Sequence, residues 1–130
     1  MEKSQKILLV DDESEFLDIM TKLLSRRKVS FETACNCMEA LDWIGREQFD
    51  VVLMDVSMPG LSGLECMVEL KKVQTDLEII LLTGHASVHT GVIGMEKGAF
   101  DYCLKPVDFE ELLEKIALAK ERCAIRMNMS

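Results

Sequence analysis

Three carboxylates, one hydroxyl and one ammonium close four short apolar runs of this chain. Ile7–Val10 leads into Asp11 and Asp12, Val51–Met54 into Asp55, Ile79–Leu82 into Thr83, and Tyr102–Leu104 into Lys105. If the four runs are neighbouring strands, their terminal side chains converge on one patch. Carboxylates packed together resist ionisation unless a cation joins them. With Lys105 the three aspartates sum formally to −2, a charge that one divalent cation neutralises. Magnesium, which prefers hard oxygen ligands and keeps several waters, suits a shallow acidic pocket. A carboxylate needs no general base to act as a nucleophile, and phosphoryl transfer depends chiefly on positioning and charge neutralisation. The set points to metal-assisted phosphoryl transfer.

Short apolar runs alternating with helix-like segments read as buried strands of a parallel sheet. In such sheets the crevice at the carboxyl ends of the strands carries function. Ser30–Ala34, less apolar, is expected as a strand nearer an edge. The first helix buries Phe16, Leu17, Met20, Leu23 and Leu24, and Glu13 or Ser14 could make Asp11-Asp12 part of its entry turn. Asn36 followed by Glu39 has the pattern of a capping box, opening a helix that buries Cys37, Ala40, Leu41 and Ile44. Gly63 opens a third helix with Leu64, Met67 and Val68 inward, and Ser87 a fourth carrying Val88, Val92 and Met95. Gly91 and Gly94 weaken that fourth helix by roughly 1 kcal/mol each relative to alanine. Asp108 with Glu111 caps the last helix, whose stripe is Phe109, Leu112, Leu113, Ile116 and Ala119. Lys115, Lys120, Arg122 and Arg126 follow in its later turns, favourable near a helix C-terminus. Five strand–helix pairs joined by right-handed crossovers give an α/β, doubly wound parallel sheet with helices on both faces.

A length of 130 residues fits a single domain, 1–130, with a core over about 5–120 and a last helix reaching about 127. No apolar run approaches the ~20 residues needed to span a bilayer. The first residues lack a signal-peptide pattern, so the expectation is a cytoplasmic protein with no membrane contact. A net charge of −8 argues against direct nucleic-acid contact by this domain, because phosphate backbones need clustered Lys and Arg. The five cysteines include no CxxC pair, and their odd number suits reduced thiols better than a disulfide framework. Cys103, inside a strand run, is expected as a small buried apolar residue.

Asp11-Asp12, Asp55, Thr83 and Lys105 stand in a wider pattern. Met58-Pro59-Gly60 and Gly63 follow the central aspartate, Gly84 follows the threonine, and Pro106 follows the lysine. Over about residues 5–120 the chain resembles the receiver domain of bacterial two-component response regulators. The resemblance implies a five-stranded, flavodoxin-like sheet of order 2-1-3-4-5. It also implies that Asp12, Asp55 and the backbone carbonyl of Ser57 bind Mg²⁺ directly, with Asp11 helping through water. Asp55 would accept a phosphoryl group from a sensor histidine kinase or phosphotransfer protein, and Lys105 and Thr83 would hold the phosphoryl oxygens. The Lys105-Pro106 bond is expected to be cis.

On the same resemblance, phosphorylation draws Thr83 inward and Tyr102 turns into the space released, biasing a two-state equilibrium. The outer face of the fourth helix, last strand and last helix would then engage an output domain, an effector protein or a second copy of the chain. Such a domain is a phosphoacceptor switch rather than an enzyme, assisting only its own phosphorylation and dephosphorylation. Ser57 and His85, two residues beyond Asp55 and Thr83, carry no acidic or amide group to orient a hydrolytic water. Slow to intermediate self-dephosphorylation is the expectation.

Two other functions fit less well. A flavodoxin-like nucleotide or flavin binder needs a phosphate-accepting loop after the first strand, and Asp11-Asp12-Glu13 repels phosphate without a metal. A phosphohydrolase with an aspartate nucleophile needs an acid/base group two residues beyond Asp55, where Ser57 stands. His85 and His89 lack a third ligand at suitable spacing and read as exposed histidines.

Overall fold

The computed structural model describes residues 6–58, 62–84 and 88–129. Five strands, β1 (Lys6–Val10), β2 (Ser30–Ala34), β3 (Val51–Asp55), β4 (Glu78–Thr83) and β5 (Asp101–Leu104), alternate with five helices. These are α1 (Ser14–Arg26), α2 (Cys37–Arg46), α3 (Gly63–Val73), α4 (Val88–Glu96) and α5 (Phe109–Met129). Every strand pair is parallel and the order is β2-β1-β3-β4-β5. The expected Pro59-Gly60 turn, His85 and the Ser87 helix start lie outside the described residues.

Alternation along each central strand divides the core in two. Ile7, Leu9, Val51, Leu53, Ile80 and Leu82 pack against Met20 of α1 and Leu112, Ile116 and Ala119 of α5. Leu8, Val10, Val52, Met54, Ile79 and Leu81 pack on the opposite face against Ala40 and Ile44 of α2 and Met67 and Leu70 of α3. Both faces are covered, which is why these strands read as continuous apolar runs. β2, with pairing on one side only, is the half-exposed strand its sequence suggested.

Two strands continue through the polar residues that were read as their ends. Asp55 pairs with Leu82 and Thr83 with Leu104, so both candidate side chains sit on strand backbone. At the other end β4 begins at Glu78, a buried carboxylate that a search for apolar runs passes over.

The helices bring three corrections. Val68 faces outward, while Cys66, Met67 and Leu70 form the buried stripe of α3. Ser62 and Glu65 make the reciprocal capping box at its start, whereas at α2 the Glu39 carboxylate accepts from Cys35 N–H rather than from the Asn36 cap. In α4, Val92 and Met95 are exposed and the glycines face the sheet. A side chain at Gly94 would meet Leu81 Cδ1 at 2.1 Å, so the glycine lets the helix lie against β4.

The thiol expectation is also corrected. Cys37 and Cys66 form a disulfide with a Cα–Cα distance of 5.8 Å, joining the start of α2 to α3. A spacing rule sees only cysteines close in sequence; this pair is 29 residues apart and meets because the two helices pack side by side. Cys35 is free and exposed, and Cys103 and Cys123 are free and buried. Among the described residues, no helix is long and apolar enough to cross a membrane.

Candidate functional site

The carboxyl ends of β1 and β3 set three aspartates side by side. The parallel register places Val10 beside Met54, so the residues that follow leave the sheet together. Asp11 N–H still bonds Ala34 O of β2 at 3.1 Å, which holds its side chain over the sheet end. Asp11, Asp12 and Asp55 offer carboxylate oxygens within 4.8 Å of one another. Asp11 and Asp55 are buried, while Asp12 is exposed at the mouth. Asp11 also accepts from Glu13 N–H at 2.9 Å. The helix-entry role weighed from sequence and a place in the acidic cluster thus coexist in one carboxylate.

Lys105 closes the cluster from β5. Its Nζ lies 2.8 Å from Asp11 Oδ2, 3.1 Å from Glu13 Oε1 and 3.8 Å from Asp55 Oδ1. It also stands 4.4 Å from the centre of the Phe16 ring, a cation–π contact that confines the ammonium. The Lys105-Pro106 bond is cis, as expected. Burial alone would lower the Lys105 pKa, but bonding to Asp11 and the Asp55 charge hold it above its ordinary value. Lys105 stays cationic.

Asp55 is the strained member. Burial raises its pKa, the Ser57 N–H bond opposes that rise, and the Asp11 and Asp12 charges add to it against the pull of Lys105. Ser57 N–H donates to Asp55 Oδ1 at 3.2 Å, and Ser57 itself is exposed at the rim. Behind the pocket, Thr83 is fully buried and its hydroxyl has no hydrogen-bond partner among the described residues. A buried unsatisfied hydroxyl costs stability unless a ligand completes it. The hard-oxygen donors, the excess negative charge and the orphan hydroxyl together suit a divalent cation with a phosphoryl group.

The first turn of α3 lies directly on the phosphoacceptor candidate. A side chain at Gly63 would meet Asp55 O at 2.5 Å and Val56 Cα at 2.6 Å, so glycine is required for this approach. Tyr102 is half-buried on β5, and a side chain at Gly91 would meet its ring at 3.2 Å and Thr83 Cγ2 at 3.4 Å. Thr83, Gly91 and Tyr102 thus adjoin. Sequence alone does not single out Glu13, Phe16 or Gly91 for the site: a glutamate before a helix reads as a cap, a phenylalanine on its apolar face as core, and a glycine within a helix only as weakness. His89 is exposed, as expected.

Residues 7–117 match the family model of the response regulator receiver domain. The chain is 38% identical over 128 residues to the uncharacterized transcriptional regulatory protein YkoG of Bacillus subtilis, covering 98% of this chain and 54% of YkoG. It is 40% identical over 111 residues to the response regulator MprA of Mycobacterium leprae, covering 85% of this chain and 49% of MprA. The chain therefore spans about half the length of these curated relatives. A response regulator receiver domain protein from Clostridium thermocellum superposes with a TM-score of 0.87 at 35% identity, over 93% of this chain and 98% of that one.

Proposed function

The chain belongs to the response regulator receiver family, a phosphorelay signalling domain, and from that premise we propose that Asp55 is its phosphoacceptor. The observation that carries this reading is the placement of Asp55. It is buried on a central strand, between the Asp11-Asp12 pair and Lys105, in front of the Thr83 hydroxyl, which has no partner among the described residues. A flavin or nucleotide module has no use for this cluster.

Asp11, Asp12, Asp55 and the Ser57 backbone would hold Mg²⁺, which supplies neutralisation of the charge that a phosphoryl group brings. The protein groups do the rest. Asp55 attacks a phosphohistidine phosphorus on a sensor kinase or phosphotransfer protein, and the imidazole leaves. Lys105, held cationic, pairs with phosphoryl oxygens. The Thr83 hydroxyl donates to another, which satisfies its buried oxygen and draws it toward Asp55. That movement empties space beside Gly91, into which the Tyr102 ring turns. The face formed by α4, β5 and α5 then changes its affinity for an output domain, an effector protein or a second copy of the chain. The relatives' greater length is consistent with an output domain in those proteins. The domain serves as a cytoplasmic switch and catalyses only its own phosphorylation and dephosphorylation, the latter slowly.

Incubation with a small acyl-phosphate donor and Mg²⁺ should add one phosphoryl group at Asp55, located by mass spectrometry. Equal labelling of Asp55→Asn would overturn the assignment.

A further inference from the structure

Two of the five cysteines are bonded to each other, and their position links that bond to the acidic pocket. Cys37 is the first residue of α2 and Cys66 lies one turn into α3. The enclosed segment, 37–66, contains β3 and Asp55. Cys66 N–H bonds Ser62 O at 2.8 Å and Gly63 N–H bonds Val56 O at 3.4 Å. The turn of helix that bears Cys66 therefore rests on the end of the strand that carries Asp55. Fixing Cys66 to α2 fixes that turn from both sides.

The remaining cysteines differ. Cys103 and Cys123 are buried and not disulfide-bonded, Cys123 Sγ donating to Met127 Sδ at 3.9 Å, and burial pushes the Cys123 thiol up to about 11. Cys35 is exposed, but the Glu39 carboxylate holds its proton in place. Cys37 follows the Asn36 cap as the first residue of α2, and Cys66 faces it from the first turn of α3. Cys37 and Cys66 are as buried as Cys103 and Cys123, and what sets them apart is that their sulfurs lie within bonding distance of each other.

We propose that Cys37 and Cys66 are a reversible redox pair, a second covalent input that sets how readily the acidic pocket takes up its cation and phosphoryl group. The effect on phosphorylation rests on the receiver reading of Asp55. In the reduced state a hydroperoxide oxidises the Cys37 thiolate to a sulfenic acid, its O–O bond breaking to leave alkoxide or hydroxide. The Cys66 sulfur attacks the sulfenic sulfur, and the hydroxyl leaves with the Cys66 proton as water. Two electrons pass from the two thiols to the peroxide. A small dithiol returns them by exchange through a mixed disulfide. The bonded state holds the segment around Asp55 and Ser57 in place beforehand, which removes part of the ordering cost of binding.

The test uses the whole chain in a Cys35→Ser background, reduced with dithiothreitol or oxidised with hydrogen peroxide, with thiols counted by alkylation and mass spectrometry. Mg²⁺ affinity is read by calorimetry and Asp55 labelling by an acyl-phosphate donor. The oxidised form should lose two alkylatable thiols, regain them with dithiothreitol, and exceed the reduced form by about threefold in Mg²⁺ affinity and labelling rate, the advantage expected of a preordered site. Cys37→Ser and Cys66→Ser should abolish the difference; if either fails to fold, the two states of the parent chain still decide. Thiols that do not interconvert, equal values in the two states, or a weaker oxidised form would each overturn the pair. Absence of Asp55 labelling in both states would instead sink the receiver reading, while thiol counts and Mg²⁺ affinity would still judge the pair.

Discussion

The two ends of the sheet treat buried carboxylates in opposite ways. At the amino end, Glu78 is almost wholly buried; its Oε2 makes no hydrogen bond among the described residues but has Arg126 Nε at 3.2 Å and Arg122 Nε at 3.9 Å. Lys6 there bridges Glu32 at 3.0 Å and Glu47 at 2.7 Å. At the carboxyl end, among the described residues, Asp11, Asp55 and Glu13 share the Lys105 ammonium, and Asp12 adds a further negative charge to the cluster. Desolvation of a charge is costly wherever it occurs. One end offsets it with neighbouring cations, and the other leaves negative charge for a ligand to neutralise. Burial of an acid is common to both ends; the imbalance of charge is what sets the carboxyl end apart.

The largest expected effect breaks the comparison outright if it fails. Asp55→Asn should eliminate phosphoryl labelling, whereas Glu78→Gln should retain it, both read by intact mass after donor treatment. Label on Glu78 would mean that charge imbalance is a poor guide.

Next comes stability at the balanced end. Replacing Arg122 and Arg126 together with alanine leaves the buried Glu78 with only the field of Lys71, and should lower the unfolding free energy by about 2 kcal/mol in urea titrations. That is less than the 3–5 kcal/mol seen for fully buried pairs, because both guanidinium groups are partly in water. Unchanged stability would show that Glu78 is held by something else.

A smaller effect sharpens the contrast. Mg²⁺ at about tenfold above its dissociation constant should stabilise the domain by about 1.4 kcal/mol through mass action, a rise of roughly 5 °C in melting temperature. Asp12→Ala should remove the rise, and the arginine variants should keep it. A rise that survives Asp12→Ala places the cation elsewhere.

The smallest is a pH dependence of the metal-free protein. Asp55 is raised above its ordinary value in the folded state by burial first, and by its aspartate neighbours. The folded state therefore binds its proton more tightly than the unfolded chain. Its contribution is fully present below the ordinary aspartate range and is lost as pH rises through the folded pKa. Asp55→Asn should melt above the parent at neutral pH, with the gap closing as pH falls toward the ordinary aspartate value. A gap independent of pH would assign it to packing instead of charge.

Particular residues show how far the chain could be read in one dimension. Ile7–Val10, Val51–Met54 and Ile79–Leu82 announced their strands because a strand covered on both faces must be apolar throughout. Alternation with helices then pointed to the parallel doubly wound sheet, and the polar residue closing each run marked the site. The resemblance supplied the order 2-1-3-4-5, which the strand pairing reproduces. Helix faces were legible where large side chains repeat, as in α1 and α5, and misread in α4, where Gly91 and Gly94 do the packing and carry no hydrophobic signal.

By itself, then, the sequence determined the elements and the chemistry at their ends, since burial period and residue type are local properties. Tertiary structure alone decided the partners. It brought Cys37 to Cys66, Glu13 and Phe16 to Lys105, and Arg126 to Glu78. Each pair is distant along the chain, and each meets only because crossovers lay particular helices beside particular strand ends. Periodicity has no access to that distance, because it reports which face of an element is buried and not what lies against it.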